Sequence, residues 1–186
     1  MLAANGFDLL ATILLTVTVI LVAFFDLRER RIPNNIVFPA ALTGLVLNGL
    51  RGWAGLWFGG KGLLVGFGLL FIPYLFRVMG AGDVKFLAAI GSFVGVSGVV
   101  RVLLLGLLIY PLLAMVFMIQ QRKVKLTIRR FGILTSRFFG VLIPQFRLYA
   151  ERLKAFDDEE IDSATSPFGL TISVGTLIAL YTTFLA

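Results

Sequence analysis

At 186 residues, the chain is 59% hydrophobic and only 15% charged, with a net charge of +7 and a mean hydropathy of +0.97. So few charges cannot cover the surface of a water-soluble domain of this size, and the solvent that fits the composition is a bilayer. Cysteine and histidine are both absent, which excludes disulfides, thiol nucleophiles, imidazole acid–base chemistry and Cys/His zinc sites.

The first apolar run, Leu9–Phe25, has no basic segment ahead of it and reads as a permanent span, not a cleaved signal. Asp26 closes it, and Leu27-Arg28-Glu29-Arg30-Arg31-Ile32-Pro33-Asn34 follows. Pro33 and Asn34 form a helix-start signal, because Pro is tolerated in the first turn and Asn caps well. They are expected to fix the loop that carries Asp26. Further apolar runs follow at Ile36–Leu50 and Gly62–Phe76. The segment Gly80-Ala81-Gly82-Asp83-Val84-Lys85 then leads into Val84–Val100, and Val102–Ile119 comes next, with Pro111 expected to kink it. Within these runs Gly44, Gly66, Gly68, Gly91, Gly95, Gly106 and Gly175 are read as points of close helix approach.

Residues 120–165 do not read as a span. They run from a basic stretch, Arg122 to Arg130, to the acidic Asp157–Asp162. Between these, Leu134, Phe138 and Leu142 recur at helical spacing beside Arg130 and Arg137. That pattern predicts an amphipathic helix on the inner leaflet. Phe168–Ala186 is the last apolar run. The expected fold is an all-α polytopic membrane protein of about six transmembrane helices. It forms one domain over residues 1–186, with 120–165 as a cytoplasmic loop or interfacial insertion.

Charge placement orients this layout. With both termini outside, Arg51, Lys61 and Arg101 fall on the outward side and the other fourteen of the seventeen Lys and Arg fall on the inward side. Excess Lys and Arg mark the cytoplasmic face. The same reading accounts for the net charge without nucleic acid, for which no recognition motif is present. It also brings Asp26 and Asp83 to one depth, at the cytoplasmic boundary.

Most of the ten acids have plain structural explanations. Asp8 sits at the outer end of the first span, Glu29 lies among arginines, and Glu151 with the 157–162 cluster belongs to a solvated loop. Asp83 could be a helix N-cap, and Asp26 a boundary carboxylate neutralised by the arginines after it. Acids at membrane depth are nonetheless functional candidates, and these share one level. Two carboxyls held close cannot both ionise cheaply, so one keeps its proton. The ionised partner can then deprotonate water while the protonated one polarises a carbonyl. Peptide hydrolysis needs such a pair when metal, Ser–His and Cys are missing. Gly80 and Gly82 would leave room for an extended substrate backbone beside Asp83. Lys85 could either bias the charge of the pair or hydrogen-bond substrate, or serve as a positive-inside anchor. Other functions for the same acids are an ion- or proton-coupled carrier with relay carboxylates, or an inactive assembly component of a secretion apparatus. A carrier would place its acids nearer the bilayer midplane.

Asp26 to Asn34 resembles the first signature of type IV prepilin peptidases, an Asp after a span, basic residues, then Ile-Pro-Asn. Gly80 to Lys85 resembles their second, Gly-x-Gly-Asp followed closely by Lys. Pro167-Phe168-Gly169 is similar to a weaker third feature at the start of the final span. The resemblance implies an intramembrane-type aspartyl protease of the cytoplasmic membrane, with Asp26 and Asp83 at the catalytic positions and no cofactor or metal. Such proteases remove the basic leader of prepilins or pseudopilins at the cytoplasmic face. Many bacterial members carry a large cysteine-containing loop after the first span, which methylates the new N-terminus. Loop one here is short and has no cysteine, so the resemblance is to the stand-alone peptidases of Flp or tight-adherence pili, without methyltransferase activity. Presenilin-like proteases share Gly-x-Gly-Asp, but Phe25-Asp26 replaces their Tyr-Asp.

Overall fold

The computed structural model describes residues 6–76, 79–120 and 168–185. The interfacial helix expected within 120–165 lies outside the described residues. Those residues form α1 (Gly6–Glu29), α2 (Asn34–Gly49), α3 (Trp53–Leu75), α4 (Ala81–Gln120) and α5 (Phe168–Leu185), with no strand among them. Three stretches are long and apolar enough to cross a membrane, namely Gly6–Glu29, Trp53–Leu75 and Ala81–Val116. A shorter apolar helix covers Phe168–Thr182. By contacts the chain divides into two units, Met1–Pro111 with Pro167–Ala186, and Leu112–Ser166. The first contains every feature described below.

Each helix turns a narrow stripe inward and a broad apolar surface outward. In α1 the buried residues are Leu15, Val19, Val22 and Asp26, which fall on one face at helical spacing. Ile13, Val17, Ile20 and Phe24 lie exposed between them. Bulky apolar side chains on the outer surface and a tight stripe inside are what a lipid solvent favours. α1 packs on α2 and on α5, and α2 packs on α3. The core joins Leu15, Val19 and Val22 to Val37, Leu70, Phe86, Leu87, Ile90 and Ile172.

The α3–α4 contact is made by glycine. A Cβ on Gly62 would fall 2.0 Å from the Gly91 carbonyl oxygen, and one on Gly66 would fall 2.6 Å from that of Leu87. Moving from Gly59 to Gly66 along α3, the facing residues run from Ser92 back to Leu87, so the helices are antiparallel. Of the glycines expected at close approaches, Gly68 is the exception: a Cβ there would meet nothing within 4 Å. Gly59 and Gly62, which border Lys61 and Gly60, make such contacts without having stood out in the apolar pattern.

Two boundaries differ from the sequence expectation. Helix α3 starts at Trp53, nine residues before the apolar run at Gly62, because Gly52 at φ 94° ends the preceding turn there. Lys61 is therefore inside a helix and not in an outer loop. The second difference lies in α4, where the expected division at Arg101 is replaced by a break at Gly95 (φ 69°, ψ −171°). Only glycine adopts that conformation readily, and the Phe58 ring packs where a Gly95 side chain would stand. Pro111, expected to kink the helix, lies within helical backbone.

The break at Gly95 turns the chain back. Gly106 faces Thr171 and Ile172, Gly175 faces Val102 and Gly106, and the Tyr110 ring meets Phe168 at 5.3 Å. The second half of α4 thus runs antiparallel to α5 and returns to the end where α4 begins. Unbroken, this 36-residue stretch would extend about 54 Å, well beyond the ~30 Å hydrocarbon core of a bilayer.

Candidate active site

Asp26 is the last member of the buried stripe of α1 and is only 5% exposed. Beyond it the helix closes at Arg30, whose N–H bonds the Asp26 carbonyl at 3.1 Å and whose φ of 52° swings the chain aside. That turn carries Ile32 and Pro33 across the end of the bundle to the start of α2. No ion pair joins the Asp26 carboxylate to Arg28 or Arg31 among the described residues. Instead Oδ2 accepts the Leu170 N–H at 2.7 Å, from the first turn of α5. Free N–H groups and the positive end of the helix dipole make such a terminus a natural partner for a carboxylate.

Asp83 is the third residue of α4, not its N-cap as the sequence suggested. Its Oδ2 accepts the Gly80 N–H at 3.2 Å, the return half of a capping box. Asp83 also lies within electrostatic reach of Asp26. The acids, 57 positions apart in sequence, therefore share one end of the bundle. At the opposite end Asp8 forms an ion pair with Arg51. From Asp8 to Asp26 along α1 is about 27 Å at 1.5 Å per residue.

Ile32 occupies the space beside the acids. A Cβ on Gly82 would sit 3.0 Å from the Ile32 Cβ. One on Gly169 would sit 2.8 Å from the Ile32 Cδ1 and 2.9 Å from the Asp26 Oδ2. Gly82 and Gly169 thus hold open the room in which Ile32 and the Asp26 carboxylate fit. Gly80 contributes its N–H to Asp83.

Lys85 contacts neither acid among the described residues. Its Nζ donates to Asn34 Oδ1 at 3.1 Å and lies 5.3 Å from the centroid of the Phe38 ring. The pair ties the start of α4 to the start of α2. This also corrects the reading of Asn34 as a cap, since Pro33 holds the N-cap position and no side chain bonds there. Ile32, Gly169 and Leu170 were not among the expected site residues. Ile32 and Gly169 stood inside quoted motifs, but Leu170 acts through its backbone and leaves no side-chain signal. Pro167 lies outside the described residues. Among the described residues no cluster of three or more acids could hold a metal.

The sequence profile of the type IV leader peptidase family matches residues 13–119, more than half of the chain. This chain belongs to that family. It is similar to the prepilin leader peptidase/N-methyltransferase of Aeromonas hydrophila, 34% identical over 113 residues that cover 57% of this chain and 39% of the relative. The protein of that name from Aeromonas salmonicida strain A449 is 33% identical over 111 residues, covering 56% and 38%. The match thus spans under two fifths of the length of these relatives. No solved structure matches the chain. The matched segment takes in both acids, Gly80, Gly82, Lys85, Pro33 and Asn34, whereas Gly169 and Leu170 lie beyond it.

Proposed function

We propose that this family member is a membrane aspartyl endopeptidase that removes the basic leader from prepilins or pseudopilins, with Asp26 and Asp83 as the catalytic pair. The observation that carries the reading is the placement of two acids from separate helices at the same end of the bundle, on either side of Ile32. Each is held by a backbone N–H, of Leu170 and of Gly80. In the proposed reaction one carboxylate takes a proton from water as the water oxygen attacks the scissile carbonyl carbon. The other, protonated, donates to the carbonyl oxygen. As the tetrahedral gem-diol collapses, the C–N bond breaks, the acid that took the water proton passes it to the leaving amine, and a gem-diol hydroxyl returns its proton to the other acid as the new carboxyl C=O forms. The pair ends with one proton, as it began. No cofactor enters these steps.

The fold is proposed to cross the membrane six times, with the halves of α4 as separate spans and residues 120–165 as a cytoplasmic insertion. Both termini would lie outside and the acids at the cytoplasmic face of the inner membrane. The relatives are leader peptidases that are also named N-methyltransferases. We propose that this chain lacks that activity, since it has no cysteine and only residues 30–33 separate α1 from α2. A relay carrier is less well supported, because both acids stand at helix ends. The test is leader cleavage of a cognate prepilin in membranes. Asp26→Asn and Asp83→Asn should each abolish cleavage while insertion is retained, and normal cleavage by either variant would refute the dyad.

A further inference from the structure

At the end of the bundle opposite the acids, a groove of about 760 Å³ opens between the first turns of α3 and the residues after the Gly95 break. Its wall is apolar and aromatic, with Trp57, Phe58 and Val100, and its polar groups are Lys61, Arg101 and the Ser97 hydroxyl. Arg51 on the same side is paired with Asp8. Lys61 and Arg101 are exposed and have no carboxylate partner among the described residues. The Lys61 ammonium lies 5.9 Å from the centroid of the Trp57 ring, and Trp53 stands edge-on to Trp57 at 6.1 Å.

Lys61 lies about 12 Å inside α3, counting from Trp53. A cation on an apolar helix is unfavourable unless it finds a counter-charge or reaches water. Arg101 shares the groove and the need. The occupant must therefore bring negative charge to the polar side and an apolar body to the wall, which merges with the exposed surface of Trp57, Phe58 and Val96.

We propose that this groove binds an anionic phospholipid, with Lys61 and Arg101 on the headgroup phosphate, Ser97 donating to a phosphate or glycerol oxygen, and an acyl chain along Phe58 and Val100. The tryptophans suit this position, since indole favours the membrane–water interface. An anionic headgroup offsets both cations where a zwitterionic one offsets them poorly. The site is independent of the peptidase reading.

The chain has only two tryptophans, Trp57 in the groove wall and Trp53 edge-on to it, so their fluorescence reports its occupant. The full chain is reconstituted in phosphatidylcholine vesicles containing a minor fraction of phosphatidylglycerol. Either lipid carries bromine on its acyl chains as a quencher. Brominated phosphatidylglycerol should quench with a roughly tenfold preference over brominated phosphatidylcholine. The preference should vanish in the K61Q/R101Q double variant and persist in K61R/R101K, which keeps both charges. Equal quenching by the two lipids in the unmodified chain overturns the proposal. So does a preference that survives K61Q/R101Q, or one lost equally in the charge-preserving variant. Relief of quenching by inorganic phosphate alone would assign the groove to a soluble anion and overturn the lipid.

Discussion

A carboxylate as buried as Asp26 needs donors, and Leu170 supplies one from a helix 144 residues away. The position of Gly169 beside it follows from that bond. A methyl group there would enter the space of both the Asp26 carboxylate and the Ile32 side chain. Gly169→Ala should therefore lower leader cleavage by roughly 10- to 100-fold, since displacing a reacting group by about 1 Å has effects of that size. Insertion and folding should be retained, and cleavage at the parent rate would contradict this role. Ile32 and Gly82 offer a second check. Their close approach should let Ile32→Cys with Gly82→Cys form a disulfide on mild oxidation. The chain has no other cysteine, so a mobility shift reversed by reductant reads the bond directly. Absence of any cross-link would remove Ile32 from the site.

At the scale of the helices, the α3–α4 contact places backbone against backbone. A side chain on Gly62 meets a carbonyl oxygen of a helix, which cannot rotate away. Gly62→Ala should destabilise the protein by about 1–3 kcal/mol through overpacking, seen as a lower Tm in detergent. Gly68→Ala, with open space around it, should be neutral or stabilising by up to about 1 kcal/mol, because Ala favours helix more than Gly does. Equal effects of the two would count against the close contact. Buried Asn48 supports the same region, since its Nδ2 donates to the Ser92 carbonyl at 2.8 Å and to that of Gly44 at 3.2 Å. It thereby joins α2 to α4 in a medium that offers no water to an unpaired amide.

The first unit is polarised, with the Asp8–Arg51 pair at one end and the two acids at the other. Single cysteines at Leu50 and Glu29, both exposed, should sort by side. In intact cells an impermeant maleimide should label Leu50→Cys, and Glu29→Cys only after permeabilisation. The reverse pattern would overturn the orientation drawn from charge counting.

Much of this was legible from residue order alone. The lipid solvent, the helical class and the choice of Asp26 and Asp83 as candidates follow from hydropathy and from acids placed at the ends of apolar runs, which are local properties of the chain. Asp26 even continues the spacing of the buried stripe Leu15, Val19 and Val22. The break at Gly95 and the start of α3 at Trp53 were not legible, because each is set by a glycine at positive φ, Gly95 and Gly52, and not by a change in hydropathy. Nor could spacing reveal that Leu170 donates to Asp26, that Lys85 is held by Asn34, or that Lys61 and Arg101 share a groove. Those pairings join segments far apart in the chain. Only three-dimensional packing decides which distant backbone donor or counter-charge each group meets.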